Sequence, residues 1–199
     1  MPNRSAPPVP LSRRDATHER IVEAASRALR HEGFAGVGVA DVMRRAGLTH
    51  GGFYAHFDSR EALLAEAIAR AGRDSGAVIE RRIEAARARG LSPLRALVDG
   101  YLSDAHLGAT ESGCVVAALS SELARQSAPL RAPGAKRVDN LIALVLRALP
   151  DGTPEEQGVM IAGTLVGSLQ LARTLGVNAR GKALLAAARS ALLAQYDTP

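Results

Sequence analysis

The chain has no tryptophan, one cysteine, three tyrosines and three phenylalanines among its 199 residues. A single cysteine excludes an internal disulfide framework and fits a reducing compartment. Beyond the first third the aromatics are Tyr101 and Tyr196 alone, which leaves no material for an aromatic cage around a quaternary cation. No uninterrupted run approaches the roughly 18 apolar residues a membrane span needs. The opening stretch, MPNRSAPPVPLSRR, lacks the apolar core of a secretory leader. These absences predict a cytoplasmic protein that does not use a membrane. Catalytic signatures are missing as well: there is no HExxH, CxxC, GxSxG, phosphate-binding loop or paired-carboxylate motif. Asp104 and His106, two positions apart on a predicted helix, do not face each other. The expectation is a protein that is not an enzyme and needs no cofactor. The scattered histidines and lone cysteine have no ligand spacing, so no metal is expected.

Lysine is scarce too. The net charge of +5 comes from 25 basic side chains, of which only Lys136 and Lys182 are lysines. That sign is compatible with a nucleic-acid partner but does not prove one. What is present is unevenly spread. Four of the five histidines (His18, His31, His50 and His56) and four of the six Phe and Tyr residues lie in the first 60 positions. The remainder is rich in Ala and Leu, which favour helix. Strand-like alternation is absent, so the fold class is all-α.

The stretch VADVMRRAGLTHGGFYAHF, from Val39 to Phe57, reads as two short helices around a corner. Val39 and Val42 face a core, while Arg44 and Arg45 face out. Gly47 takes the left-handed conformation that ends the first helix, Leu48 plugs the angle, and Thr49 caps the second helix. Phe53 and Phe57 share the inner face. His50, Gly51, Tyr54 and His56 are left on the outside. This is a helix-turn-helix arrangement, whose second helix enters the major groove of DNA. His50 is the candidate for a base edge. Gly51 permits close backbone approach, the Tyr54 hydroxyl reaches phosphate, and His56 reaches phosphate or base. The free N–H groups after Thr49 suit a phosphate. The bland alternative for each histidine is a solvated surface residue.

Around it, a helix over Asp15 to Glu32 is predicted, ended by Gly33 with Phe34 tucked into the core. Residues 1 to 12 form an expected flexible arm in which Arg4, together with Arg13 and Arg14, tracks phosphates or reaches a minor groove. Asp58 and Glu61 have capping-box spacing for a long helix running to Arg87 or Arg89, with an irregularity at Gly72 or Gly76. Further helices are predicted over Pro93 to Leu107, Cys114 to Ala124, Lys136 to Leu149, Pro154 to Leu175 and Ala179 to Gln195. Pro129 and Pro133 bracket a break.

The segments RIVEAASRALRHEGF, VADVMRRAGLTHGGFYAHF and DSREALLAEAI resemble the DNA-binding domain of the TetR/AcrR family of bacterial transcriptional regulators. The likeness is detailed from Arg13 to Ile68, and beyond that is one of length and helical layout. Family members often carry Thr where this chain has Val37 and Gly38, so the cap of the second helix departs from the pattern. The resemblance implies a three-helix DNA-binding domain over 13–58 and a helical ligand-binding and dimerisation bundle over 59–199. It implies a homodimer on a double-stranded DNA operator, with a small-molecule effector that releases a repressor. The expected DNA-binding residues are Arg44, Thr49, His50, Gly51, Tyr54, His56 and Arg60. Candidate effector contacts are Leu97, Tyr101, His106, Cys114, Leu119, Leu141, Val145, Gly163 and Gln170, lining an aliphatic cavity for a largely apolar or carbonyl-bearing ligand. The dimer face is expected from Val159, Gly163, Val166, Gly167, Leu184, Ala188 and Leu192, with the two C-terminal helices pairing into a four-helix interface. The bland alternative is that these small residues serve packing within one chain.

Cys114 has two readings. Ser112-Gly113-Cys114 can set the thiol at a helix N-terminus, a setting that favours a reactive thiolate. The stretch GCVVAALSSELA also resembles one subgroup of the family, some of whose members respond to reactive species. Against this, a lone cysteine among Val and Ala is most simply a small buried hydrophobe. A scaffold protein and a helical enzyme are the competing classes.

Overall fold

In a computed structural model, residues 12–197 can be described. The expected arm, residues 1 to 12 with Arg4, lies outside them except for Ser12. Among the described residues there are nine α-helices, one 3₁₀ helix and no strand, the all-α class read from the sequence. The chain runs α1 (Arg13–Gly36), α2 (Val39–Arg45), the 3₁₀ helix (His50–Ala55), α3 (Arg60–Ala88), α4 (Pro93–Tyr101), α5 (Asp104–Gly108), α6 (Val115–Leu123), α7 (Ala128–Ala148), α8 (Glu155–Leu175) and α9 (Ala179–Tyr196).

Helix α1 starts where the Ser12 hydroxyl accepts the Asp15 N–H, an N-cap that satisfies one orphan donor. It breaks at Gly33, whose φ of 71° suits glycine, and Phe34 then turns into the core. Gly47 takes the same hand at the corner after α2, with φ of 71°. Its N–H donates to the Arg44 carbonyl, and that of Leu48 to Met43, which closes the end of α2. Gly38 offers α2 no side-chain cap.

The core of this region is Ile21, Val22, Ala25 and Leu29 from α1, with Leu63, Leu64, Ala67 and Ile68 from α3, all buried. Phe53 and Phe57 stack with ring centroids 5.6 Å apart in the same core. Burying each such side chain stabilises the fold by about 1.5–3 kcal/mol. The core continues without interruption into the bundle through α3. At about 1.5 Å per residue, α3 is a rod of roughly 43 Å that packs on both α1 and α7.

Several predicted boundaries move. The expected irregularity at Gly72 or Gly76 does not occur, and α3 is helical from Arg60 to Ala88. The stretch Pro93 to Leu107 is two helices, because Leu102 leaves the helical path and the Ser103 hydroxyl caps α5 by accepting the His106 N–H. The break between Pro129 and Pro133 is absent. Pro129 sits in the first turn of α7, where no N–H is needed, while Pro133, inside the helix, forgoes one intrahelical bond without ending it.

Helix α8 is, among the described residues, the one helix long and apolar enough to cross a membrane by length and composition. Its inner side, Ile161, Leu165, Leu169 and Ala172, is nevertheless packed in the core, against the neighbouring helices α7 and α9.

Candidate nucleic-acid interface and effector cavities

The recognition element is a 3₁₀ helix of six residues, His50 to Ala55. Its tightness follows from sequence: Gly51 and Gly52 are poor α-helix formers, and Phe53 and Phe57 must both reach the core within one turn. His50, Gly51 and Tyr54 face solvent, Tyr54 with 74% of its surface exposed. A Cβ built on Gly51 meets nothing within 4 Å, so the space outside its backbone is open. Gly52 is not a packing necessity, since a Cβ there would make ordinary contact with Met43 at 3.6 Å. Arg44 is also exposed, with its guanidinium on Asp41.

Three expected contacts require correction. The Thr49 hydroxyl makes no cap hydrogen bond, so its place at the start of the element rests on its extended backbone alone. His56 turns inward: its Nδ1 is buried without a partner, and its ring lies 6.1 Å from that of His18. Burial, then the charges of His18 and Arg14, lower its pKa. The residue is half-buried, with one side of its ring packed behind the 3₁₀ helix. Arg60 donates to the backbone carbonyls of Val37, at 3.0 Å, and Phe34. It therefore ties α3 to the α1–α2 connection, and only its remaining donors are free for phosphate.

Other ties were not legible in the sequence. Arg14 donates to the Ala55 carbonyl at 3.0 Å, closing the far end of the recognition element. Arg20 donates to the Ala46 carbonyl at the corner. His18 stacks on Phe57 at 4.5 Å and meets Glu66 at 2.7 Å. These are arginines and histidines whose partners lie 26 to 48 positions away, and no local pattern announces them.

Two cavities of the bundle share the Cys114 wall. The smaller, about 230 Å³, lies among α3, α4 and the turn after α5. Tyr101, His106 and Cys114 line it. The Tyr101 hydroxyl is buried beside the Cys114 thiol without a well-formed hydrogen bond. Burial, then Cys114, push its pKa well above the ordinary tyrosine value, so it is a neutral donor. The Cys114 N–H donates to His106 Nε2 at 3.0 Å, which leaves Nδ1 to carry the hydrogen toward the Tyr101 carbonyl at 2.7 Å. Burial pushes the His106 pKa down to about 4, with Arg173 and Arg82 adding to the effect. Arg173 itself donates to the carbonyls of His106 and Ala109 at 3.0 and 3.2 Å.

The larger cavity, about 450 Å³, lies between α3 and α7 and is lined in part by Cys114 and Leu141. Leu97, Leu119 and Val145, expected to line a cavity, are instead fully buried core. Gln170 donates to the Ala117 carbonyl at 3.1 Å, a helix-to-helix tie. Gly163 is exposed on α8 and lines neither cavity.

The wall between cavities and recognition domain is wired to α1. Arg27 bonds Glu111 at 2.8 Å, and His31 meets the Thr110 hydroxyl at 3.1 Å. Arg30, buried, approaches the Gly113 carbonyl. Glu122 on α6 accepts the Phe34 N–H at 2.9 Å, beside the Gly33 break.

On α8, Val159, Met160 and Leu171 are large apolar residues left exposed. A Cβ at Gly163 or Gly167 would meet nothing within 4 Å. Val166, Leu184 and Ala188 are half-buried against the core. Leu192 corrects its expectation: it is 5% exposed and belongs to the core of its own chain.

Among the described residues, no group of three or more His, Cys, Asp or Glu side chains is placed to hold a metal ion. The α2–3₁₀ unit therefore stands as an exposed helix-turn-helix element packed onto a helical bundle. Residues 21–67 match the profile of the bacterial regulatory proteins of the tetR family. The fold is shared over nearly the whole chain with E. coli NemR in its reduced form, with a TM-score of 0.76, 21% identity, and 92% of this chain and 100% of that one covered. It is likewise shared with a TetR-family regulator from Agrobacterium tumefaciens (TM-score 0.70, 20% identity, 92% and 98% covered). A third similar structure is the multidrug binding protein EbrR complexed with imidazole (TM-score 0.65, 19% identity, 96% and 98% covered). No curated protein matches the chain at a significant level. Within residues 21–67 the chain is thus similar to the tetR family of bacterial regulatory proteins, and over nearly its whole length it shares the fold of these structures.

Proposed function

We propose that the protein is a homodimeric repressor, released from a double-stranded DNA operator when a small, largely apolar or carbonyl-bearing effector enters the bundle. The observation that carries this reading is the wiring of the cavity wall to α1. Ala109, Ser112 and Gly113 line the smaller cavity; between them Thr110 and Glu111 are held by His31 and Arg27 of α1, and Arg30 approaches the Gly113 carbonyl. A ligand that displaces this wall shifts α1, and with it the recognition element that Arg14 clamps. The unpartnered Tyr101 hydroxyl supports a ligand carbonyl as acceptor, since a buried hydroxyl gains most from a new partner. EbrR, which shares this fold, is a multidrug binding protein, and that is consistent with a small-molecule effector here.

His50, Gly51 and Tyr54 are the side that meets base edges, with Arg44 on the phosphates. Dimerisation through α8 and α9 is supported by the open space over Gly163 and Gly167 and by the exposed Val159. A twofold dimer matches paired half-sites on one duplex. The division at Ser59 separates recognition from response, although the core is continuous. The test maps bound DNA genome-wide, then measures operator affinity with and without candidate effectors. Tyr101→Phe is expected to keep operator affinity and to weaken release by carbonyl-bearing ligands. Unchanged release would contradict the assigned role of the hydroxyl.

A second reading makes Cys114 a sensor of electrophiles or oxidants that controls the same DNA binding. The observation favouring it is that Cys114 lines both cavities, so a small reagent entering either meets that wall. Its 5% exposure limits larger reagents. A Cys114→Ser variant that retains every inducer response would dismiss this reading.

A further inference from the structure

The larger cavity carries chemistry that an apolar effector does not use. Arg137 of α7 lines it, and its Nε is buried with no hydrogen-bond partner. The side chain lies directly over Gly72 of α3: a Cβ on that glycine would come within 1.9 Å of the Arg137 Cδ. Glycine at this point is what lets the guanidinium settle between the two helices. Arg73 and Arg147 line the same cavity, and the one carboxylate among its lining residues, Glu80, is already bonded to Arg147 at 2.7 Å. Three arginines thus face one carboxylate. The rest of the wall includes Ile79, Val115, Leu141 and Leu144.

We propose that the α3–α7 cavity binds a small organic carboxylate, with Arg137 as the anchor for the carboxylate and the aliphatic wall holding an apolar body. A half-buried guanidinium with an unused N–H lacks a partner that a carboxylate supplies bidentately. The cavity volume of about 450 Å³ suits a molecule of modest size. Such a ligand bridges α3 to α7, so it sets the lean of the rod that carries the recognition domain. The site deepens the effector reading above, and its regulatory consequence rests on that reading. Binding itself does not.

The test uses the full chain without DNA. Hexanoate, octanoate, decanoate and benzoate are titrated by calorimetry beside octanamide and benzamide. At least one acid should bind saturably and about tenfold or more tighter than its amide, with affinity falling as salt rises. Arg137→Met should weaken that acid by about ten- to a hundredfold and leave the amide unchanged, while Arg137→Lys retains part of the preference. Gly72→Ala, which displaces an intact Arg137, should lose the preference too. Unchanged amide binding and an unchanged helical circular dichroism spectrum show that the variants are folded. The proposal is overturned if none of the acids binds, if acids and amides bind alike, or if Arg137→Met keeps the preference. Each of these results leaves operator recognition standing, because no DNA enters the measurement.

Discussion

The recognition domain and the bundle are built from different chemistry. The first holds most of the aromatics and histidines and exposes a short, glycine-bearing edge. The second hides its polar groups: Tyr101, His106, Arg137 and Arg173 all contribute to buried or half-buried sites. On the proposed function, the first region would present its donors to DNA before the partner arrives. The second would instead hold donors unsatisfied until a ligand supplies an acceptor. That contrast explains why the two regions tolerate different changes.

The largest expected effect comes from blocking the dimer without touching the chain's own packing. Because space over both glycines is open in one chain, Gly163→Arg with Gly167→Arg should give a folded monomer. Operator affinity should fall by about a thousandfold as one of two half-sites is lost. Sedimentation and a gel shift check this. A dimer of unchanged affinity would move the interface elsewhere.

The next test sharpens the buried side of the contrast. His106 has its pKa lowered to about 4 from an ordinary 6.5. The unfolded chain therefore binds this proton first as pH falls. The stability of the neutral His106 network is present above 6.5 and is lost as pH drops toward 4. Between pH 7 and pH 5 the loss should be about 2 kcal/mol, read as a falling denaturation midpoint. A His106→Gln variant should show less of this slope; the full wild-type slope in that variant would assign it to other groups.

Glu122→Ala removes the acceptor of the Phe34 N–H across the two regions. It should cost about 1–2 kcal/mol in stability and blunt effector release more than operator affinity, measured by titration of release. The smallest effect is at Thr49. Its hydroxyl caps nothing, so Thr49→Ala should change stability by less than about 0.5 kcal/mol, whatever it does to DNA affinity. A drop of the size of a lost cap would restore the capping role.

What the sequence made legible was local. Gly33 and Gly47 announce breaks because only their backbone conformation allows the turn, and the spacing of Phe53 and Phe57 fixes the inner face of the recognition element. Distant partners were not legible. Arg60 has the look of a phosphate ligand until its carbonyl partners at Phe34 and Val37 are seen. The neighbourhood of His56 and His18, 38 positions apart in the chain with rings 6.1 Å apart, has no local signal either. Leu192 reads as interface or core with equal ease, since α9 carries apolar residues on several sides. The split between α4 and α5 turns on a single cap at Ser103. The Arg137 cavity depends on Gly72, 65 positions earlier in the chain, and no periodicity links the two.

The most direct measurement is a footprint on operator DNA, comparing the natural protein with Gly51→Asp. The carboxylate has open space in the free protein and stands against phosphate in the complex. The natural protein should protect two half-sites related by a twofold axis, centred about one helical turn or a multiple of it apart. The variant should fold normally and bind about a hundredfold more weakly. Protection without sequence preference, or a variant that binds as well as the natural protein, would contradict the claim that two His50–Tyr54 edges read one duplex.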